Sequence, residues 1–181
     1  MTNVCSYPLA SAAAATFTAL LFGCAAWHKA SDFDSFTGFV ADYQVMPPNL
    51  VVSVSSMVIA AEGLVPITLL FRHGREYGAS LAAALLLGYA TVIAINLLRG
   101  RSQIDCGCSG ARQPLAWSLV ARNAVLAAIA TLIALPGLVD STLWEAAAAM
   151  GGGVVVWAVY IVAEGVLSNQ ARMRVLMSER N

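Results

Sequence analysis

Residues 79–98 read ASLAAALLLGYATVIAINLL, twenty consecutive residues without a single charge. A transmembrane helix needs about 20 predominantly apolar residues to cross the hydrocarbon core of a bilayer. This stretch therefore predicts a membrane-spanning helix, and the rest of the chain can be compared with it.

Four further apolar blocks of similar length occur, at about 8–28, 50–71, 115–135 and 145–167. The last contains Gly151-Gly152-Gly153, which would weaken a helix in water, but small residues are common where membrane helices pack closely. No Pro/Ser-rich linker or low-complexity segment divides the chain. We therefore predict an all-α polytopic transmembrane helix bundle, with residues 1–181 as a single membrane domain of five spans, and four spans as the alternative.

The composition supports a membrane protein and excludes nucleic-acid binding. Of the 181 residues, 59% are hydrophobic and 11% are charged, against about 25% charged residues in a soluble domain. The mean hydropathy is +0.74. The formal net charge is zero and no basic tract occurs, so the chain lacks the electrostatic footprint of a nucleic-acid-binding protein. The first basic residue, Lys29, follows the first apolar block, which favours a retained helix over a signal peptide.

Five spans would place the first loop, the loop containing Cys106-Gly107-Cys108 and the C-terminus on one membrane face, here called the cysteine-loop face. That face carries most of the basic residues: Lys29, Arg99, Arg101, Arg112, Arg172, Arg174 and Arg180. The opposite face carries only Arg72 and Arg75. The positive-inside rule therefore predicts cytoplasmic cysteines, whereas disulfide chemistry favours an oxidising compartment such as the periplasm. We favour the periplasm.

Cys106-Gly107-Cys108 is the strongest candidate for chemistry. A disulfide needs Cα atoms about 4.4–6.8 Å apart, which residues i and i+2 reach only where the chain bends. Gly107 permits the backbone angles of such a bend. A disulfide closing so small a ring is strained and correspondingly oxidising. The motif predicts a disulfide donor or shuttling dithiol.

The neighbouring residues bear on the reactivity of these thiols. Arg99 and Arg101 would favour the thiolate of Cys106 electrostatically, whereas the adjacent Asp105 would oppose it. Asn96, near the end of the third span, is a candidate for capping or positioning the cysteine loop.

Other readings of the cysteines stay open. Two thiolates in a C-x-C pattern could hold copper(I). Structural zinc needs four ligands, and only His28 and His73 are available as histidines, with His73 on the opposite face, so we predict no zinc site. Cys24, about one turn from the cysteine-loop end of the first span, could accept electrons or form a resolving disulfide. The alternative is that Cys24 is a small buried hydrophobe.

Charged residues also fall inside the predicted spans. Glu62 lies near the centre of the second span, shortly before Pro66, and should face the bundle interior. It could relay protons, bind a quinone or serve as a structural hydrogen-bonded carboxyl. A transporter function would rest on Glu62 and Pro66 alone. Arg122 and Glu164 are predicted to form an ion pair.

The cysteine loop and its flanks resemble the methylamine utilisation protein MauE family, one of the DoxX-like membrane proteins. The resemblance is carried by Asn96-Leu97-Leu98-Arg99-Gly100-Arg101 and by Ile104-Asp105-Cys106-Gly107-Cys108-Ser109-Gly110. Arg122-Asn123 and Glu62 are similar to that family as well.

The resemblance implies a cell inner-membrane protein that matures the small, disulfide-rich subunit of periplasmic methylamine dehydrogenase. It implies a thioredoxin-like periplasmic partner and periplasmic cysteines. Two classes of function remain: a thiol-disulfide oxidoreductase acting through Cys106 and Cys108, or a non-enzymatic scaffold or export factor whose cysteine pair is structural. In the first class, electrons would leave through Cys24 or a quinone near Glu62.

Overall fold

The computed structural model describes residues 6–101, 104, 115–134 and 143–178. Six α-helices and no strand occur within these ranges, which confirms the predicted all-α polytopic bundle. Single 3-10 turns over Pro48–Leu50 and Arg72–Gly74 lead into the third and fourth helices. The helices in chain order are α1 (Ser6–Ser31), α2 (Phe33–Asp42), α3 (Val51–Leu70), α4 (Arg75–Leu98), α5 (Trp117–Ile133) and α6 (Leu143–Ser178).

Each predicted span falls on one of these helices. α5 has 17 residues, so it is about 26 Å long at 1.5 Å per residue, against about 30 Å for a bilayer core. Apart from α2, each of the other helices contains a stretch long and apolar enough to cross a membrane: Leu9–Ser31, Pro48–Leu70, Arg75–Leu98 and Trp144–Gln170. The count of five or four spans therefore depends on α5 alone.

Small residues pack among larger ones in the centre of the bundle, and many large apolar residues face outwards. Ala79, Ala82 and Ala130 are completely buried where α4 and α5 pack against their neighbours, and small side chains of this kind let membrane helices approach closely. Leu70 and Trp144 are 81% and 84% exposed. This inverted pattern is what a lipid environment requires.

The first loop contains a helix that the sequence analysis did not predict. In α2, Phe33, Phe36 and Phe39 recur at a helical spacing, and Phe36 is buried. Asp32 caps the helix by accepting a hydrogen bond from the backbone N–H of Ser35 at 3.4 Å. The loop is therefore a structured cover of the bundle rather than a plain polar connection.

The first span extends further than predicted, which corrects the placement of two residues. Lys29 was expected in the loop on the cysteine-loop face, but α1 continues to Ser31 and leaves Lys29 only 5% exposed inside the bundle. Cys24 was expected about one turn from the end of this span. It precedes Ser31 by seven residues, about two turns, and so lies deeper than expected.

Candidate functional site

A buried ion pair joins α1 to α3. The Nζ of Lys29 donates to Oε1 of Glu62, and the two residues are 5% and 1% exposed. A charged group in a bilayer core is costly unless it pairs within the protein. Glu62 therefore faces the bundle interior as predicted, but its partner Lys29 was not foreseen.

Tyr89 of α4 completes the group, which we call the Lys-Glu-Tyr cluster (Lys29, Glu62 and Tyr89). Lys29 Nζ donates to the Tyr89 hydroxyl at 3.0 Å, and that hydroxyl donates to Oε1 of Glu62. The ammonium also lies 4.7 Å from the centroid of the Tyr89 ring and 5.1 Å from that of Phe36. Cation–π contacts of this kind stabilise a desolvated ammonium. Four helices, α1 to α4, thus contribute to one polar centre.

The second carboxylate oxygen of Glu62 is different. Oε2 is buried, and no described residue hydrogen-bonds to it. A buried acceptor without a partner typically costs about 1–3 kcal/mol, more when it is charged. The cluster therefore keeps one strong acceptor available for a proton, a water molecule or a ligand.

Two cavities lie on either side of the cluster. The first, of about 350 Å³, has Lys29 and Tyr89 in its wall and is otherwise mostly apolar. The second, of about 400 Å³, has Glu62 and Tyr89 in its wall together with Cys24 and His28. Lys29 thus lines one cavity, Glu62 lines the other, and Tyr89 lines both.

An ion pair between α5 and α6 borders the second cavity. Arg122 Nη1 donates to Oε2 of Glu164 at 2.7 Å, which confirms the predicted pairing. The neighbouring Asn123 is 2% exposed and donates to the carbonyl of Leu119 in its own helix at 2.9 Å. Arg122 is therefore part of a polar wall inside the bundle.

Cys24 has a half-buried free thiol at the second cavity. Among the described residues, no group of three histidine, cysteine or acidic side chains is placed to hold a metal ion. Cys24 thus shares the lining of this cavity with Glu62 and His28.

The cysteine motif, Cys106-Gly107-Cys108, lies outside the described residues, as does Asp105 before it. The ends of that segment are described. The N–H of Leu115 donates to the carbonyl of Ile104 at 3.2 Å. This hydrogen bond joins the two described residues that flank the cysteine segment.

α4 ends in a specific turn shortly before the cysteine segment. Gly100 adopts a left-handed conformation with φ of +73°. Its N–H donates to the backbone carbonyl of Leu97 at 3.0 Å, and the N–H of Arg101 donates to the backbone carbonyl of Asn96 at 2.9 Å. This is the Schellman pattern that ends a helix. Asn96 is fully buried, and its Nδ2 donates to the carbonyl of Val92 at 3.1 Å. Asn96 thus contributes its backbone carbonyl to the turn that leads into the loop.

Arg99 connects the loop region to the cover formed by α2. Its Nη1 donates to the carbonyl of Gln44, just beyond α2, at 3.2 Å. Nearby, Ile104 and Leu115 pack with Tyr43 and Ile93 in a small apolar cluster. The ends of the cysteine loop are therefore held against the cover at the cysteine-loop face.

Comparisons with known proteins agree on one family. A family model described as methylamine utilisation protein MauE matches residues 7–136, which include α1 to α5 and the cysteine loop. The chain is 40% identical over 151 residues to the methylamine utilization protein MauE of Paracoccus denitrificans, an alignment that covers 81% of each chain. It is 36% identical over 132 residues to the protein of that name from Paracoccus versutus, covering 72% of this chain and 71% of the relative. No solved structure matches.

Proposed function

The chain belongs to the methylamine utilisation protein MauE family, and we propose that it matures the disulfide-rich small subunit of methylamine dehydrogenase. In this proposal it is a thiol-disulfide oxidoreductase of the cell inner membrane, and its redox-active residues are Cys106 and Cys108. A thioredoxin-like periplasmic protein carries the disulfide between it and the small subunit.

The exchange needs no outside electron carrier. A thiolate of the partner attacks the Cys106–Cys108 disulfide, so one sulfur–sulfur bond breaks as a mixed disulfide forms. The partner's second thiolate then displaces the chain's cysteine. The partner leaves oxidised, and the chain is left with two thiols that take up the two protons released by the partner.

The observation that carries the proposal is the hydrogen bond between Leu115 and Ile104. It joins the two residues that flank the segment containing Cys106-Gly107-Cys108, and they lie at one end of the bundle, which is where a water-soluble partner would meet the chain. Gly107 alone separates the two cysteines in the sequence, so their thiols stay close to each other, which favours rapid closure of the disulfide.

We place the cysteine-loop face in the periplasm. Lys29 no longer counts towards the positive-inside comparison because it is buried in the bundle and paired with Glu62. Arg99 is engaged with Gln44 and so has a structural reason to be on this face. A disulfide that must be regenerated belongs in an oxidising compartment, and this consideration outweighs the remaining arginines.

Complementation tests the proposal. In cells that lack the chain, Cys106→Ser/Cys108→Ser should accumulate in the membrane but leave the small subunit without its disulfides. Ser109→Ala, in the same segment, is the matched control and should restore maturation fully. If the double variant also restores maturation, the oxidoreductase function is wrong and a scaffold or export function replaces it.

A further inference from the structure

The cavity on the Lys29 side of the cluster lies between α2, α3 and α4, with α2 as its cover. Phe36 and Phe39 line it from α2, Val58 from α3, and Leu85 and Gly88 from α4. At about 350 Å³ it falls within the range of about 300–1,000 Å³ typical of small-molecule sites. An apolar pocket with a few convergent polar groups is the usual form of such a site.

The polar groups at the wall select the chemistry of the occupant. The ammonium of Lys29 has three protons, and the contacts within the described residues direct two of them at Glu62 and Tyr89. The third can donate to a molecule in the cavity, which Lys29 lines. The site therefore suits a molecule with a hydrogen-bond acceptor at one end and an apolar body.

The charge balance excludes an acidic occupant. Glu62 already neutralises Lys29, so a fatty acid carboxylate or lipid phosphate would add an uncompensated negative charge in an apolar surrounding. A neutral carbonyl oxygen accepts the Lys29 hydrogen bond without that cost. Flat neutral carbonyl compounds that dissolve in the bilayer are the quinones.

The cavity adjoins the anchor of the cysteine loop. Tyr43 and Ile93 line the cavity and also pack with Ile104 and Leu115, the residues at which the loop leaves and rejoins the bundle. An occupant of the cavity thus lies beside the end of the molecule that carries Cys106 and Cys108.

We propose that this cavity binds a membrane quinone, which reoxidises the Cys106–Cys108 dithiol. This inference rests on the proposed function, because partner oxidation leaves the chain with two thiols that must become a disulfide again. The two thiols give up two electrons and two protons as the sulfur–sulfur bond forms. The quinone takes up both and becomes the hydroquinone. Lys29 is a positioning residue that donates to the quinone carbonyl.

Gly88 offers a variant that fills the cavity with little strain. A Cβ added at Gly88 meets no atom within 4 Å, and Gly88 lines the cavity. Gly63 of α3 has equally open surroundings and lies outside both cavities. Gly88→Leu and Gly63→Leu are therefore a matched pair, and Val58→Trp fills the cavity from the facing helix.

The test uses the purified full chain in nanodiscs of neutral phospholipid, with decylubiquinone as the probe. Saturable binding is expected for the wild-type chain and for Gly63→Leu. The Kd should rise about tenfold or more in Gly88→Leu and Val58→Trp, because overpacking of a filled site costs 1.4 kcal/mol or more. The reduced wild-type chain should convert one quinone to hydroquinone for each disulfide formed.

Three results would overturn the inference: no saturable binding to the wild-type chain, unchanged affinity in both cavity variants with their thermal stability retained, or a phospholipid that co-purifies with the wild-type chain but not with Gly88→Leu. The Cys106→Ser/Cys108→Ser variant distinguishes a failure of the quinone inference from a failure of the proposed function. It should bind the quinone with wild-type affinity and reduce none. If it binds quinone yet supports maturation in cells, the cavity site stands and the exchange function falls.

Discussion

Lys29 of α1 and Glu62 of α3, 33 positions apart in the chain, form an ion pair at 5% and 1% exposure. The pair fixes the register of two antiparallel helices whose contacts are otherwise mostly between apolar side chains, which specify register weakly. It also lets a lysine and a glutamate reside in the bundle without net charge, as a membrane interior requires.

Removing one member of this pair should destabilise the bundle more than removing both. Glu62→Ala leaves the ammonium buried without a carboxylate, and we expect the free energy of unfolding to fall by about 3–5 kcal/mol. Lys29→Met/Glu62→Met should recover most of that loss, because apolar residues of similar volume replace the pair. Denaturant unfolding of the three proteins in mixed micelles measures both changes. A double variant that is no more stable than Glu62→Ala would contradict the compensation expected of a buried ion pair.

The hydroxyl of Tyr89 should contribute to the free energy of unfolding, whereas the hydroxyl of a tyrosine that faces outwards should not. Tyr89→Phe removes the group that contacts both Lys29 and Glu62, and hydrogen bonds to charged groups are worth about 1.5–3 kcal/mol. Tyr77→Phe, on the same helix at 75% exposure, is the control and should change the stability by less than about 0.5 kcal/mol. The same unfolding assay compares them, and indistinguishable variants would refute a role for the Tyr89 hydroxyl.

Only the last glycine of Gly151-Gly152-Gly153 should be sensitive to substitution. A Cβ at Gly153 would lie 2.5 Å from the carbonyl oxygen of Ala13 and 2.7 Å from Cβ of Thr16, at the contact between α1 and α6. Gly153→Ala should therefore cost about 1–3 kcal/mol. Gly152→Ala meets nothing within 4 Å and should be neutral or stabilising by up to about 1 kcal/mol. Thermal unfolding of both variants decides, and similar melting temperatures would contradict close packing at Gly153.

Much of the architecture could be predicted from the sequence because bilayer thickness imposes a length on apolar segments. The interior location of Glu62 followed from the cost of a lipid-exposed charge, and the pairing of Arg122 with Glu164 is present at 2.7 Å. The quinone near Glu62 and the resolving role of Cys24 remain predictions, as do the roles of Cys106 and Cys108, whose segment lies outside the described residues.

The partners of Glu62 were missed for physical reasons. Lys29 comes at the end of an apolar block, where a lysine usually reaches the membrane surface. Here α2 covers that end, and the ammonium turns inwards. α2 itself is a ten-residue helix with acidic residues. It is too short and too polar to resemble a span of about 20 apolar residues, although its phenylalanines recur at a helical spacing. Tyr89 stands in an otherwise apolar run, where nothing in the sequence distinguishes a hydroxyl that contacts an ion pair from one that faces lipid.

The orientation in the membrane can be tested with a thiol reagent that does not cross the bilayer. In a chain with Cys5→Ala and Cys24→Ala, Cys106 and Cys108 should label in intact cells after mild reduction. His73→Cys in a chain without other cysteines reports on the exposed turn at the opposite face and should label only after the cells are permeabilised. The reverse pattern would place the cysteine loop in the cytoplasm, as the charge distribution alone suggests.

Trapping the mixed disulfide tests the central claim most directly. When the second cysteine of the thioredoxin-like periplasmic protein is replaced by serine, that protein can attack the Cys106–Cys108 disulfide but cannot release the chain, and a covalent complex with the wild-type chain should accumulate. The complex should disappear on reduction and be absent from Cys106→Ser/Cys108→Ser. If the wild-type chain, inserted at normal levels, forms no such complex with the serine variant of the partner, Cys106 and Cys108 do not exchange disulfides with it.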